Sequence, residues 1–436
     1  MQKFTVAGAC AVVSLLLSDP ANAAQLRAFD ILHYATTVDV DIAAGTLHGE
    51  TLVRFSAVTA GARELQLDSG ALTIDSVQQD GEPVPFVQRD AVLHINLPTA
   101  VRAGEVQVRY HGKPRFGLEF APAREEVYTI FSTAQWMPSV NAPDERATLA
   151  LALRLPPRLK ATAVGDALPS RQLDDGRIEH RWQLRKPAPA FVYGFAAGPY
   201  VHARQGNLHY YSVDRSEAEL RQLFAATGDM LGFFAERAGL AYEGDYRQAL
   251  VAETIGQEMA GMAVMSEAYG KEVLDDPTQT GLIAHEAAHQ WWGVRVTCAG
   301  WEHFWLNEGF ANFMTAAWLQ QSQGEAAYQA MVQGWETRVQ ELRTNGADRP
   351  LVYPQWIKPS ADDRAVVYKK GAYVLHRLRR ELGEEVFWRG LREYTQANDG
   401  RSVVTADFQQ AMEHAAGRSL QAFFDAWVYG VGGELG

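Results

Sequence analysis

The chain has 436 residues, 47% hydrophobic and 21% charged, with only two cysteines. That composition excludes disorder and collagen-like repetition, and the length suits two or three domains that each bury a core. Forty Lys and Arg against 52 Asp and Glu leave a formal net charge of −12 with no basic run, so neither a nucleic acid nor an anionic membrane surface is expected as a partner.

Residues 1–23 read as a secretory signal peptide. Lys3 is followed by an apolar or small-residue stretch from Phe4 to Leu17, and Ala21-Asn22-Ala23 is a small-x-small cleavage signal. Val6-Ala7-Gly8-Ala9-Cys10 is loosely like a lipidation box, but Cys10 comes too early for a full apolar stretch to precede it. A secreted or periplasmic location is expected. Cleavage would leave Cys298 as the remaining thiol and exclude an intramolecular disulfide. No later segment has a long uninterrupted apolar run, so no membrane association is expected after signal removal.

Two halves of different texture follow, predicting an α+β chain. Residues 24–203 read as strands. Alternation is clear in Thr37-Val38-Asp39-Val40-Asp41, Thr51-Leu52-Val53-Arg54-Phe55, Glu64-Leu65-Gln66-Leu67 and Val106-Gln107-Val108-Arg109-Tyr110. Turns such as Asp80-Gly81 and Asp174-Asp175-Gly176 punctuate them, so an antiparallel β-sandwich-like domain is expected. From about Ser216 the period becomes helical, as in Leu220, Leu223, Phe224, Met230, Leu231 and Phe234. Residues 204–436 are therefore expected to form a second, mainly helical domain.

The strongest chemical signal is His285-Glu286-Ala287-Ala288-His289. A helix is expected over 281–296, with Asp276-Pro277 supplying its cap and first-turn proline. Positions i and i+4 lie one above the other, so both imidazoles can converge on one ion, and Glu286 on the adjacent flank can reach a water there. A catalytic zinc takes three protein ligands. Glu308, in Trp305-Leu306-Asn307-Glu308-Gly309-Phe310-Ala311 and separated from His289 by eighteen residues, is the third candidate. A chance occurrence of the five-residue pattern is expected only about 0.03 times in a chain with this many histidines.

This arrangement resembles the gluzincin peptidases of the aminopeptidase N family. Several further segments carry the likeness. Val367-Tyr368-Lys369-Lys370-Gly371-Ala372 is similar to the family's Tyr-x-Lys-Gly segment, and 191–200 to the last strand of its N-terminal domain. Ala134-Gln135-Trp136 with Pro143-Asp144-Glu145-Arg146 looks like a divergent form of the block running from Thr-Gln to Asp-Glu-Pro. Residues 417–427 resemble the end of the family's catalytic domain. The family's Gly-x-Met-Glu-Asn segment is degenerate here. Ile255-Gly256-Gln257-Glu258-Met259-Ala260-Gly261 aligns without gaps, keeping the Glu and the later Gly but replacing Gly, Met and Asn.

The resemblance implies a thermolysin-like catalytic domain with one zinc ion held by His285, His289 and Glu308, in a short form without the family's helical C-terminal domain. It implies Glu286 as general base and Tyr368 as the neutral donor to the carbonyl oxygen. Glu258 is implied to pair the α-ammonium of a peptide, with Gln135 as a second acceptor. The expected activity is removal of N-terminal residues from peptides. Endopeptidase, dipeptidase or epoxide-type hydrolysis at the same metal, and a metal-free scaffold, are the alternatives. Cys298 is expected to be an inert thiol and Trp291-Trp292 to be core.

Overall fold

The computed structural model describes residues 27–253, 256–354 and 359–434, so the expected signal peptide at 1–23 lies outside the described residues. The N-terminal half is built on an eight-stranded sheet. Its order is β13 (Asp166–Gln172), β14 (Ile178–Pro189), β11 (Arg146–Leu155), β1 (Phe29–Asp41), β2 (Thr46–Ala57), β8 (Ala103–Gly112), β4 (Thr73–Gln79) and β5 (Glu82–Pro83). Two smaller sheets share its hydrophobic core. One is β3 (Glu64–Asp68), β7 (Val92–Asn96) and β6 (Phe86–Arg89). The other is β12 (Lys160–Ala163), β15 (Phe195–Gly198), β10 (Glu126–Thr129) and β9 (Leu118–Ala121).

Period-two patterning explains the packing. Along β11, Ala147, Leu149, Leu151, Leu153 and Leu155 point inward and are buried, while the residues between them are half exposed. Each such leucine contributes about 1.5–3 kcal/mol of transfer free energy. Asp80 and Gly81, both at positive φ, form the tight turn joining β4 to β5. The sheet is not wholly antiparallel, however. β1 pairs parallel with β11, His33 opposite Thr148 through Asp39 opposite Arg154. More than a hundred residues separate these strands, ample for the crossover that parallel pairing requires.

The second half contains a sheet that the periodicity did not reveal. β16 (Val201–Gln205), β17 (Leu208–Ser212), β18 (Tyr246–Val251), β20 (Met262–Ser266) and β19 (Gly256–Met259) pair in that order, with β17, β18 and β20 mutually parallel and β19 antiparallel on the edge. Residue 203 lies inside β16. One face of this sheet, with Tyr211, Ala249, Val251, Met262 and Val264, joins the core of the N-terminal half. The other face, with Tyr210, Leu250, Ala263 and Met265, joins the helical core. Burial on both faces removes the hydrophobic alternation.

The helices follow in chain order. α1 (Glu217–Leu223) begins at Ser216 with a capping box to Glu219 and leads into α2 (Thr227–Ala238). After the sheet come α3 (Glu267–Asp275), α4 (Gly281–Ala288), α5 (Trp305–Gln323) and α6 (Glu325–Thr344). Then α7 (Ala361–Ala365) runs through a π-helical turn, Val366–Lys370, into α8 (Gly371–Leu382), followed by α9 (Glu384–Ala397), α10 (Thr405–Ala416) and α11 (Gln421–Trp427). A two-residue ladder, β21 (Thr297–Cys298) with β22 (Ser402–Val403), ties the loop before α5 to the one before α10. Among the described residues no helix is long and apolar enough to cross a membrane.

Candidate metal centre

α4 is shorter than its sequence window. It begins after Thr280, so Asp276-Pro277 falls in the preceding turn, and it ends at Ala288 rather than running on to 296. Gly293, at φ +140, helps fold the chain back: its N–H donates to Val296 O, and Val294 N–H donates to His289 O. A Cβ at Gly293 would meet His289 Nδ1 at 2.7 Å, so glycine leaves room for the ring. Trp291 and Trp292 are buried there. The Trp292 carbonyl accepts a hydrogen bond from His289 Nδ1 at 3.0 Å. That bond places the proton on Nδ1 and leaves the Nε2 lone pair to face the cluster.

Three ligating atoms converge. His285 Nε2 and His289 Nε2 are 3.1 Å apart, and Glu308 Oε2 lies 3.3 Å from the first and 3.5 Å from the second. Zinc bonded tetrahedrally at about 2.0–2.1 Å would hold its donors roughly 3.3 Å apart. Glu308 Oε2 is buried and, among the described residues, has only the two imidazoles as close polar neighbours. Two imidazoles and a buried carboxylate oxygen are a set that a divalent cation satisfies, so these residues fit the ion.

The electrostatics point the same way. Burial works against a charged His289, yet the carboxylates of Glu258 and Glu308 hold its pKa up at about 10. Burial likewise opposes ionisation of Glu308, but His289 and His285 draw it down to about 2. Burial pushes Glu258 up to about 7, with His289 opposing and Glu308 adding to the rise. Glu286 is driven well above the usual carboxylate range by burial, against His289 and with Glu258. The cluster is rich in buried carboxylates and stabilises positive charge at its centre.

Glu286 lies beside the triad without belonging to it. Its Oε2 is buried without a hydrogen-bond partner among the described residues, and a Cβ on Gly256 would meet its Oε1 at 2.4 Å. Glycine at 256 therefore lets β19 lie against this carboxylate. Ligating atoms of Glu258, Glu286 and His289 all lie within 4.8 Å of one another. Gln290 clamps β19 to the metal-bearing segment, its Nε2 donating to Met259 O at 3.1 Å and its Oε1 accepting from Gly261 N at 2.9 Å.

Tyr368 sits on the π-helical turn, a distortion that often marks functional sites. Its ring lies nearly parallel to that of His285, 13° between planes and 6.3 Å between centroids. Lys370, fully buried, anchors the same turn by donating to Asp348 Oδ1 and Arg349 O, each at 2.6 Å.

Gln135 makes a hydrogen bond within the N-terminal half. Its Oε1 accepts from Ala71 N at 3.3 Å, and among the described residues no hydrogen bond joins it to Glu258. Ile255 of the degenerate segment lies outside the described residues. Cys298 is buried in β21, and burial pushes its thiol pKa up. Asn312 Nδ2 donates to the main-chain oxygen of Glu308. Sequence reasoning missed Gln257, Gln290 and the Trp292 carbonyl. A glutamine beside Glu258 was the one available signal; the other two act through backbone geometry.

Comparison with known proteins agrees with this geometry. The Peptidase family M1 domain matches residues 259–427. Leucine aminopeptidase 2 of Pyricularia oryzae is 23% identical over 90% of the chain, and aminopeptidase N of Lactococcus lactis subsp. lactis 25% identical over 91%. The chain spans 68% of the first and 50% of the second. A mutant M1 zinc metallopeptidase from Deinococcus radiodurans, bound to a Tyr-Ser-Ala substrate, shares the fold. The TM-score is 0.79 at 24% identity, covering 94% of this chain and 96% of that one. Residues 259–427 thus match the Peptidase family M1 domain, and most of the chain is similar in sequence to aminopeptidases and in fold to an M1 zinc metallopeptidase.

Proposed function

We propose that this protein removes N-terminal residues from short peptides with a free α-amino group, using one zinc ion held by His285, His289 and Glu308. The observation that carries this reading is the sharing of His289 between two groups. One is the metal triad. The other is the Glu258–Glu286–His289 set, within 4.8 Å. A carboxylate for the α-ammonium thus lies one residue's reach from the metal, which favours cleavage after the first residue over cleavage within a chain.

When bound, zinc supplies Lewis-acid polarisation of the scissile carbonyl and a water acidified towards neutrality. Glu286 takes the proton from that water and later delivers it to the leaving amine. Its burial raises its proton affinity, which suits a group that must hold the proton between the two transfers. Tyr368 donates a hydrogen bond to the carbonyl oxygen as it gains charge, without introducing a competing charge. Glu258 pairs the substrate ammonium in a site from which water is largely excluded, where ion pairing is strong and directional.

The peptide bound by the Deinococcus radiodurans relative supports short peptides as the substrate class. The signal-like pattern of residues 1–23, a basic start, an apolar stretch and Ala21-Asn22-Ala23, supports a secreted or periplasmic location. The discriminating experiment compares a leucyl tripeptide with its N-acetylated form. Stepwise release of free leucine from the unblocked peptide alone is expected. Equal cleavage of both forms would replace the aminopeptidase reading with an endopeptidase one.

A further inference from the structure

Glu258 is oriented through its neighbour. Gln257, 2% exposed, donates from Nε2 to Glu258 Oε2 and to the Glu258 main-chain oxygen, each at 2.8 Å. Its Oε1 accepts from the main-chain N–H of Phe131 at 2.9 Å. The amide orientation follows from chemistry. Flipped, its NH₂ would face a second N–H, and its carbonyl would face a carboxylate and a carbonyl.

The anchor at Phe131 is itself unusual. Phe131 has φ +50, and Ser132 N–H donates to Ile130 O at 2.5 Å, closing a three-residue γ-turn around it. A bulky residue there is strained, at a cost of about 1–3 kcal/mol. The turn is held from both sides. Ile130 N–H donates to Gly117 O at 3.1 Å, Gln135 N–H to Ser132 O at 3.1 Å, and Thr133 Oγ1 to Ala190 O at 2.6 Å. Such a turn points the Phe131 N–H out of the N-terminal domain and towards the catalytic edge strand.

From this geometry we infer that Gln257 is a positioning residue for α-ammonium recognition: it holds Oε2 of Glu258 and leaves Oε1 for the substrate, with the Phe131 turn as its fixed end. The inference rests on the aminopeptidase reading and specifies how that site selects free-amine peptides. The link departs from the aligned family segment, in which methionine at 257 has no amide to donate.

The test uses the full-length, zinc-loaded protein and two variants, Gln257→Met and Gln257→Glu. The second retains an acceptor for Phe131 N–H should the first fail to fold. Calorimetry gives the affinities of L-leucine hydroxamate and of 4-methylpentanoyl hydroxamate, which lacks the amine, and steady-state kinetics give KM and kcat on a leucyl peptide. A hydrogen bond to a charged group governs about a tenfold preference or more. The parent is expected to favour the amine-bearing hydroxamate. In the variants that preference falls about tenfold and KM rises about as much, while zinc content and kcat change little. A folded, zinc-replete variant that keeps the parent's preference within twofold overturns the role of Gln257 and leaves the aminopeptidase reading standing. A parent protein indifferent to the amine overturns that reading, and this inference with it.

Discussion

Gly309 and Gly371 bring two helices into backbone contact: a Cβ on either would lie 3.0 Å from the Cα of the other. Gly309 directly follows the ligand Glu308 on α5, and Gly371 opens α8 three residues after Tyr368. The crossing sets the distance between the metal triad and the phenol. Gly371→Ala is expected to push the helices apart by a few tenths of an ångström. It should lower kcat about tenfold or more, since small misplacements of catalytic groups are costly. Overpacking should cost about 1–3 kcal/mol of stability. A variant with parental kcat would show that Tyr368 does not depend on this approach.

Gly293 controls the ligand ring. Gly293→Ala places a methyl group 2.7 Å from His289 Nδ1 and strains a backbone at φ +140. Zinc affinity should fall about 10–100-fold as the imidazole loses its bond to the Trp292 carbonyl. Competition with a chromophoric chelator measures this, and unchanged affinity would contradict the orienting role of that bond.

Removing the metal should also destabilise the fold. Glu258, Glu286 and Glu308 are buried around two imidazoles, and without the ion only protons are left to offset their charge. Treatment with a chelator should lower Tm, and added zinc should restore it with a concentration dependence. In Glu286→Gln the zinc content should persist while kcat falls about 10²–10⁴-fold, the usual contribution of a general base. Loss of zinc in that variant would instead assign Glu286 to the ligand set.

His376 provides a pH dependence remote from the metal. Burial lowers its pKa to about 4, reinforced by Arg380, Arg379 and Arg377. The neutral Nδ1 faces the Tyr328 hydroxyl at 2.8 Å. Because the folded pKa lies below the ordinary 6.5, this stability is fully present above pH 6.5 and is lost as pH falls through about 4. His376→Asn should lose less Tm than the parent between pH 6.5 and 4. Parallel Tm curves would assign the acid sensitivity to other groups.

Much of the site was legible because its signals are local. Four residues of helix bring His285 over His289, and nineteen more return the chain to Glu308. Strands with one wet face, such as β11, announce themselves by alternation.

The tertiary structure decided the rest. β18 and β20 are buried on both faces, so their alternation vanished and the five-stranded sheet was hidden in an apolar run. The helix at 281 stops at Ala288 because the chain folds back at Gly293 behind His289, which the pattern of apolar residues did not encode. Gln135 binds Ala71 N–H, whereas Gln257 reaches Glu258, a distinction between two glutamines that depends on which segments meet. The amino-acid order by itself determined which residues could share an ion, since that is a matter of helical pitch. Which side chains stand beside Glu258 was set only when the strained turn at Phe131 met the edge strand, because contacts between distant segments follow from packing rather than spacing.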